Sequence, residues 1–299
     1  MSHKASTGDP VRALPALSCD THVHVFRPDP FRYDPARTYT PGVASVEMLQ
    51  SFLGFHGLER VVVVQPSVYS TDNRCLAAAL RQLGPATARG VAVIDPSSVR
   101  DEELDELHSA GVRAVRANLK TVGVEDPGAA LETLETLRDR VAGFGWSLQV
   151  FMTIEMTLGL GQDLPKLDTP VILDHFAGLK TSSPACGEQV QALIDLVQSG
   201  EIYLKLSAAH RAVDYEESLD SLSAHAMALI GAAPHRMLWG SDWPHTGKSG
   251  DRSTRALTEI EPFLPVDDKH VLFELGSWAD SPQVLREILV NNPARLFGF

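Results

Sequence analysis

Eight short apolar runs, separated by longer amphipathic segments, follow one another along this chain of 299 residues. One run reads Val61-Val62-Val63-Val64, so every position in it is apolar. Consecutive apolar positions are typical of parallel strands buried on both faces, because a one-sided strand alternates apolar and polar residues. The runs predict strands at 17–25, 60–65, 89–94, 111–118, 147–151, 171–174, 202–206 and 237–239.

The segments between the runs repeat their apolar residues about every 3.6 positions, which predicts amphipathic helices. Ser281-Pro282 indicates the start of a last helix, since proline is favoured in the first helical turn. That helix is expected to end at Asn291-Asn292-Pro293. The other helices are expected at 46–55, 74–83, 101–110, 129–144, 188–198, 215–230 and 253–263.

Strands that alternate with helices predict an α/β fold, and eight such units predict a (β/α)8 TIM barrel. A doubly wound open sheet is the alternative. The barrel is favoured because polar clusters follow the first, sixth and eighth strands, and closure brings these ends to one mouth. The glycine-rich dinucleotide fingerprint is also absent after the first strand, since 22–31 contain no glycine. We expect 1–16 to be an N-terminal extension and 17–299 a single barrel domain.

Histidine and aspartate residues mark three of the predicted strand ends. His22 and His24 are two positions apart on one strand, so their side chains point the same way. His175 follows the sixth strand and Asp242 follows the eighth. In a barrel these side chains would meet, and they could bind one divalent metal ion or hold a carbonyl group and a water molecule without metal.

Asp242 is the candidate general base. It emerges from an apolar strand, where a buried carboxylate without a partner would be strongly destabilising. Such a carboxylate can take a proton from a water molecule that attacks a carbonyl carbon, and then return the proton to the leaving oxygen. A helix N-cap is the other interpretation of this aspartate.

Two arginines near strand ends are candidates for binding a substrate carboxylate, because a guanidinium donates two parallel hydrogen bonds. Arg116 lies on the fourth strand, on the same side as Ala114 and Asn118. Arg211 follows the seventh strand. For each arginine, a surface salt bridge is an equally good interpretation.

Charge and composition restrict the partners. The chain has 26 basic and 38 acidic residues and a net charge of −12, which argues against nucleic acid or an anionic membrane. Cys19, Cys75 and Cys186 form no CxxC pair, so neither structural zinc nor a disulfide framework is expected. The start of the chain has no apolar signal core, and no apolar run approaches about 20 residues. We expect a cytoplasmic protein that acts on a small molecule, and a homo-oligomer is compatible with this composition.

The motifs around these residues resemble those of the amidohydrolase superfamily. The similarity extends from about residue 17 to 299, and it is closest to the branch that contains 2-pyrone-4,6-dicarboxylate lactonase and related lactone hydrolases. The motifs are DTHVHVFRP at 20–28, YTP at 39–41, QPS at 65–67, GVRAVRAN at 111–118, DHFAG at 174–178 and GSDWPH at 240–245.

This resemblance implies a hydrolase that opens a carboxylated lactone, such as a pyrone dicarboxylate, a muconolactone or a sugar-acid lactone. It implies that Asp242 activates water and that three histidines polarise the lactone carbonyl: His22, His24 and His175. It also implies substrate contacts from Tyr39, Ser67, Arg116, Arg211 and His245. The pyrone lactonase is regarded as metal-independent, so no cofactor is expected. The alternative is one zinc or manganese ion bound by His22, His24, His175 and Asp242.

One arginine of the dicarboxylate lactonase is replaced here. The lactonase carries it shortly after the arginine that matches Arg116, where this chain reads Lys120-Thr121-Val122-Gly123. Lys120 is then the nearby cation and a candidate substrate ligand, although an ammonium cannot reproduce the bidentate guanidinium. The change indicates a preferred lactone other than pyrone dicarboxylate.

Two other functions fit the same pattern. A metal-dependent decarboxylase of the superfamily would use a similar set of residues, with the metal orienting a carboxylated ring. A barrel that only binds a ligand is less compatible, because none of the four clustered residues is replaced by an inert one. A binuclear metal centre is not expected, since the fifth strand, 147–151, offers no Lys or Glu to bridge two ions.

Overall fold

The computed structural model describes residues 14–121, 123–213, 218–247, 252 and 255–299. Eight parallel strands form one sheet in chain order. They are β1 Cys19–Val23, β2 Arg60–Val64, β3 Ala88–Ala92, β4 Val112–Ala117, β5 Ser147–Val150, β6 Val171–Leu173, β7 Ile202–Ser207 and β8 Met237–Gly240. All eight predicted strands are confirmed, and every strand end lies within two residues of its predicted position.

The sheet closes into a barrel between β8 and β1. The backbone N–H of Asp242 donates to the His22 carbonyl oxygen at 2.9 Å, and the His24 N–H donates to the Trp243 carbonyl oxygen at 2.8 Å. The closing bonds therefore pass through the two segments that carry three of the candidate catalytic residues. The fold is the predicted (β/α)8 barrel and not an open sheet.

Strand β8 approaches β1 closely because position 240 has no side chain. A Cβ atom on Gly240 would lie 2.7 Å from the His22 Cβ and 2.8 Å from the His22 backbone nitrogen. Separations this short are incompatible with close-packed atoms, so this position requires glycine.

The strands are buried on both faces, as their unbroken apolar runs predict. In β2, Val62 and Val64 pack inside the barrel with inward-facing residues of other strands, while Val61 and Val63 belong to the core between sheet and helices. Adjacent residues differ in this way because successive side chains of a strand point to opposite faces.

Helices surround the barrel. They are α1 Val46–His56, α2 Arg74–Leu83, α3 Asp101–Ala110, α4 Pro127–Val141, α5 Ile154–Gly159, α6 Cys186–Gln198, α7 Ala209–Ala212, α8 Asp220–Ala232, α9 Asp268–Trp278, α10 Pro282–Arg286 and α11 Asn292–Phe297. A π turn at Glu287–Asn291 joins the last two helices, and two short strands, Thr40–Pro41 and Ile260–Glu261, pair with each other.

The helix predicted at 253–263 is wrong. Its described part, 255–263, contains the short strand Ile260–Glu261, and Pro262 cannot donate a helical hydrogen bond. The helix after β8 is instead α9, whose first turn is capped by the Asp267 carboxylate accepting from the His270 N–H at 3.0 Å.

The predicted end of the last helix is also wrong, because helical structure continues through Pro293 to Phe297. Pro293 falls in the first turn of α11, directly after the wider π turn, where proline is tolerated.

Some predictions concern residues outside the described ranges. The predicted extension, 1–16, is described only at 14–16, and the predicted start of a helix at 215–217 is not described. All three cysteines are buried free thiols. Within the described ranges, the helices are too short or too polar to span a bilayer.

Candidate active site

The carboxyl ends of three strands bring the four predicted catalytic side chains together. His22 and His24 lie at the end of β1, His175 follows β6 and Asp242 follows β8, and each is at most 6% exposed. The Asp242 Oδ1 atom lies 3.7 Å from His22 Nε2, 3.5 Å from His24 Nε2 and 4.0 Å from His175 Nε2. The geometry thus matches the expected cluster, while the catalytic roles stay predictions.

Two of these residues have a left-handed backbone. The φ angle is 52° at His175 and 70° at Asp242. For residues other than glycine this conformation costs about 1–2 kcal/mol. Backbone strain of this kind is concentrated at functional sites, where the surrounding structure holds a side chain in one place.

Asp242 is buried and ionised. Burial alone would raise its pKa, but the Arg211 guanidinium opposes burial and holds the pKa well below the usual 3.8. Arg211 donates to Asp242 Oδ2 from Nε at 3.0 Å and from Nη2 at 2.9 Å. Because Arg211 occupies Oδ2, the Oδ1 atom is the one presented to the three imidazoles.

Two of the imidazoles next to Asp242 are neutral, and the third has one nitrogen fixed by a hydrogen bond. Burial lowers the pKa of His22 to about 3 and the pKa of His175 well below 6.5, so both are neutral at pH 7. The His24 Nδ1 atom lies 2.8 Å from the Val64 carbonyl oxygen, which can only accept. In neutral His24 the proton is therefore on Nδ1, and Nε2 presents a lone pair to the carboxylate of Asp242.

Two acceptors that face each other 3.5 Å apart, His24 Nε2 and Asp242 Oδ1, repel unless a cation or a proton donor lies between them. The His22 Nε2 atom is buried beside them without a hydrogen-bond partner. Two ligands of a tetrahedral zinc ion are separated by about 3.4 Å, since each lies about 2.1 Å from the metal. The three residues, whose donor atoms lie within 4.8 Å of one another, therefore fit a single divalent ion.

A buried lysine lies behind His22. Lys205 from β7 donates to the Thr21 carbonyl oxygen at 2.8 Å and to Gln149 Oε1 at 2.7 Å. Its Nζ is 3.3 Å from His22 Nδ1 and 3.7 Å from Asp174 Oδ1. Burial lowers the pKa of Lys205 to about 8. Lys205 was not among the predicted site residues, although a charged residue inside an apolar strand was an available signal.

Arg116 reaches the site but forms an ion pair with the protein itself. Its Nε and Nη2 atoms donate to Asp174 Oδ2 at 3.1 Å and 3.0 Å, and the Gln149 amide donates to the same oxygen at 3.1 Å. The sequence could not show this pairing, because Arg116 and Asp174 are 58 positions apart. If Arg116 binds substrate as predicted, it does so while it also forms this ion pair with Asp174.

A small cavity of about 80 Å³ opens at Asp242. Four predicted substrate residues line it: Tyr39, Ser67, Arg116 and Arg211. The other lining residues are His24, Pro66, Asn118, Thr121, Phe151, His175, Asp242, Thr246 and Arg252. A larger surface groove of about 710 Å³, between α2 and α3, contains none of the predicted catalytic residues.

Two predicted substrate residues do not line this cavity. His245 is directed toward α9, with Nε2 2.8 Å from Asp268 Oδ2. Lys120 is exposed, and its Nζ lies 5.2 Å from the ring centre of Phe151, on the border of a separate groove. Val122, in the segment that departs from the resemblance, lies outside the described residues.

Arg252 lines the cavity, and the sequence analysis missed it because it belongs to no motif. Its guanidinium carbon lies 4.0 Å from the ring centre of Tyr39. Its Nε and Nη2 atoms donate to the Glu261 carboxylate at 2.8 Å and 2.5 Å. The cavity therefore has three guanidinium groups in its walls, from Arg116, Arg211 and Arg252.

Comparisons with known proteins agree with this architecture. A 4-sulfomuconolactone hydrolase from Rhizobium radiobacter is 32% identical over 96% of this chain and 91% of that protein. A 2-pyrone-4,6-dicarboxylate hydrolase from Comamonas testosteroni is 29% identical over 98% of this chain and 94% of that protein. An apo crystal structure from Agrobacterium tumefaciens, 23% identical, has the same fold with a TM-score of 0.75, covering 97% of this chain and 99% of that chain.

The amidohydrolase family matches residues 19–299. That range includes all eight strands of the barrel and the four polar side chains at its mouth. With this match over nearly the whole length, the chain belongs to the amidohydrolase family.

Proposed function

We propose that this protein hydrolyses a lactone that carries at least one carboxylate. The observation that carries the proposal is the ionised Asp242 carboxylate, whose Oδ1 atom faces three imidazoles at a cavity with arginines in its walls. The two curated relatives support the substrate class, because their names describe hydrolases of 4-sulfomuconolactone and of 2-pyrone-4,6-dicarboxylate.

In the proposed reaction a water molecule attacks the lactone carbonyl carbon, and Asp242 Oδ1 accepts a proton from it. A carboxylate with a low pKa is a weak base toward free water. The proton therefore moves as the water oxygen bonds to the carbonyl carbon, because that oxygen becomes acidic during the attack. Asp242 then gives the proton to the ring oxygen as the C–O bond breaks, which leaves a carboxylic acid and a free hydroxyl. The acid then ionises and releases one proton to the solvent.

The resemblance implied that all three histidines polarise the carbonyl, and we propose a different role for His24. Neutral His24 has its proton on Nδ1, directed to Val64, so Nε2 cannot donate a hydrogen bond to the carbonyl oxygen. Its lone pair can instead orient the attacking water or bind a metal ion. His22 and His175, whose Nε2 atoms both lie within 4.0 Å of Asp242 Oδ1, are left to stabilise the negative charge that develops on the carbonyl oxygen.

Four residues, His22, His24, His175 and Asp242, would hold a divalent ion if the reaction uses one. Such an ion would supply charge stabilisation at the carbonyl oxygen and would make the attacking water more acidic. The metal-independent reaction expected from the resemblance stays a prediction. The donor atoms of His22, His24 and Asp242, which lie within 4.8 Å of one another, support the metal-dependent alternative.

Tyr39 and Ser67 are the proposed neutral donors to the substrate. Burial raises the pKa of Tyr39, so the phenol remains protonated at neutral pH and can donate a hydrogen bond. Ser67 lies in the turn directly after β2 and lines the same cavity. Arg211 and Arg116 add positive charge beside the reacting carbonyl.

The test is turnover of a panel of lactones, measured as proton release. The panel contains 2-pyrone-4,6-dicarboxylate, 4-sulfomuconolactone, muconolactone and a sugar-acid lactone. We expect at least one of them to reach a kcat/KM of about 10⁴ M⁻¹ s⁻¹ or more, the lower range for natural substrates. Failure to open any of them, both with added zinc or manganese and without, would contradict the proposal.

A further inference from the structure

Arg252 is the guanidinium of the cavity that the proposed reaction does not use. Arg116 and Arg211 pair with Asp174 and Asp242, which lie behind and at the reacting centre. Arg252 instead stacks on Tyr39, beside the paired short strands Thr40–Pro41 and Ile260–Glu261. It therefore belongs to the part of the cavity wall that Tyr39 forms.

The position of Arg252 is fixed by Glu261, whose side chain is only 1% exposed. The carboxylate accepts from Nε and Nη2 of Arg252. A guanidinium has five N–H donors in one plane, so a carboxylate on the Nε edge leaves the opposite edge for a second acceptor. Arg252 is thus oriented in advance, which reduces the entropy lost when it binds a ligand.

Glu261 also lies close to a second guanidinium. Arg255 Nη1 also lies 3.4 Å from Glu261 Oε2, so one buried carboxylate serves two guanidinium groups. At the reacting centre, by contrast, Asp242 Oδ2 accepts two hydrogen bonds from Arg211. Arg252 therefore shares the Glu261 carboxylate with Arg255.

We propose that Arg252 binds a second anionic group of the substrate, a carboxylate or a sulfonate remote from the carbonyl that is attacked. The substrate class is then a lactone with two anionic groups. This inference rests on the proposed lactone hydrolysis. Arg252 then supplies a bidentate donor at the Tyr39 side of the cavity.

The test compares lactones that differ by one anionic group. One pair is 2-pyrone-4,6-dicarboxylate and 2-pyrone-6-carboxylate, and the other is 4-sulfomuconolactone and muconolactone. Arg252→Met keeps an apolar stem over Tyr39 but removes the donors. We expect it to lower kcat/KM about 100-fold for the doubly charged lactone of a pair, mainly through KM, and less than about 3-fold for the singly charged one.

Arg255→Met is the matched control, because Arg255 contacts the same carboxylate but does not line the cavity. It should leave both members of each pair within about 3-fold of the wild type, and Arg252→Lys should fall between Arg252→Met and the wild type. An equal loss on both members in Arg252→Met, or no loss on either, would overturn the proposal. The two pairs show whether carboxylate or sulfonate is the preferred second group.

A binding measurement separates this inference from the proposed reaction. Benzene-1,3-dicarboxylate and benzoate differ by one carboxylate and cannot be hydrolysed, and their affinities can be measured by calorimetry. The wild type should prefer the dicarboxylate by at least about 10-fold, and Arg252→Met should abolish that preference. If no lactone is opened but this preference is present and depends on Arg252, the reaction is wrong and the anion site stands. If the wild type has no preference, the anion site is wrong.

Discussion

Asp242 and Arg211 control the charge at the reacting centre. Both hydrogen bonds from Arg211 go to Oδ2, and they hold the pKa of the carboxyl low against the opposing effect of burial. Without a guanidinium, a carboxyl buried among neutral imidazoles would keep its proton to higher pH. The role of Asp242 as a base therefore depends on its own carboxylate and on one neighbour.

Asp242→Asn should lower kcat at least about 1000-fold, since an amide cannot accept the proton of the attacking water. The amide keeps the shape of the side chain and an oxygen that can accept from Arg211. Circular dichroism and the melting temperature should therefore show a folded barrel. Retention of more than a tenth of the wild-type kcat would exclude Asp242 as the base.

The pH dependence follows from the low pKa of Asp242. The active, ionised form is present above the folded-state pKa, which lies well below 3.8, and is lost only as the pH falls through it. In metal-free protein, kcat/KM should therefore be flat from pH 7.5 down to the lowest pH at which the protein stays folded.

Arg211→Met should move the acid limb of this profile to higher pH, because burial then acts on the carboxyl without the opposing guanidinium. Arg140→Met is the control, since it removes an ion pair with Asp101 on the surface. The control should keep the wild-type profile. An unchanged acid limb in Arg211→Met would show that Arg211 does not set this pKa.

At the scale of elements, the seam between β8 and β1 both closes the barrel and positions the site. Gly240 lets the backbone of β8 lie against His22, and the next residues of that segment lead to Asp242. Gly240 thus affects both the packing of β8 against β1 and the position of Asp242.

Gly240→Ala should lower the melting temperature by several degrees and reduce kcat more than about 10-fold, because the new Cβ would overlap the His22 backbone. Gly231→Ala in α8 is the matched control, since nothing lies within 4 Å of the Cβ it would add. That change should stabilise the fold by up to about 1 kcal/mol through helix propensity and leave kcat unchanged. Equal melting temperatures in the two variants would contradict the close approach at 240.

The sequence predicted strands better than helices for a physical reason. A strand buried on both faces, such as β2, can be recognised from its own run of apolar residues. The histidines at the strand ends are likewise visible in the local sequence. The segment after β8 was misassigned because its structure depends on partners far away: Ile260–Glu261 pairs with Thr40–Pro41. Local periodicity does not contain such pairings.

The same reason explains which site residues were missed. His22 and His24 belong to a recognisable motif, whereas Lys205 belongs to the site through its contact with His22, which is 183 positions away in the sequence. Arg116 was placed correctly at the cavity, but its ion pair with Asp174 was not foreseen. The position of Arg252 is set by its contacts with Tyr39 and Glu261, and no sequence motif links these three residues.

For the whole molecule, charge is distributed in a way that suits an anionic substrate. The chain carries a net charge of −12, yet three guanidinium groups line the cavity at Asp242. A local cluster of this kind can attract an anion in spite of the overall charge, because surface charges farther away than about 8–10 Å are screened by salt.

Metal content can be measured on the purified protein. Because the donor atoms of His22, His24 and Asp242 lie within 4.8 Å of one another, we expect about one zinc or manganese ion per chain. Removal by a chelator should lower kcat at least about 100-fold, and re-addition should restore it. Full activity in protein shown to be metal-free would establish the metal-independent reaction, with His24 orienting water.

The measurement that tests the central claim most directly is hydrolysis of the best lactone in water enriched in ¹⁸O, followed by mass spectrometry of the product. Attack of water on the lactone carbonyl predicts one ¹⁸O atom in the new carboxylate and none in the released hydroxyl. A product without ¹⁸O would indicate an isomerase, and release of carbon dioxide would indicate a decarboxylase. Either result would contradict the role assigned to Asp242.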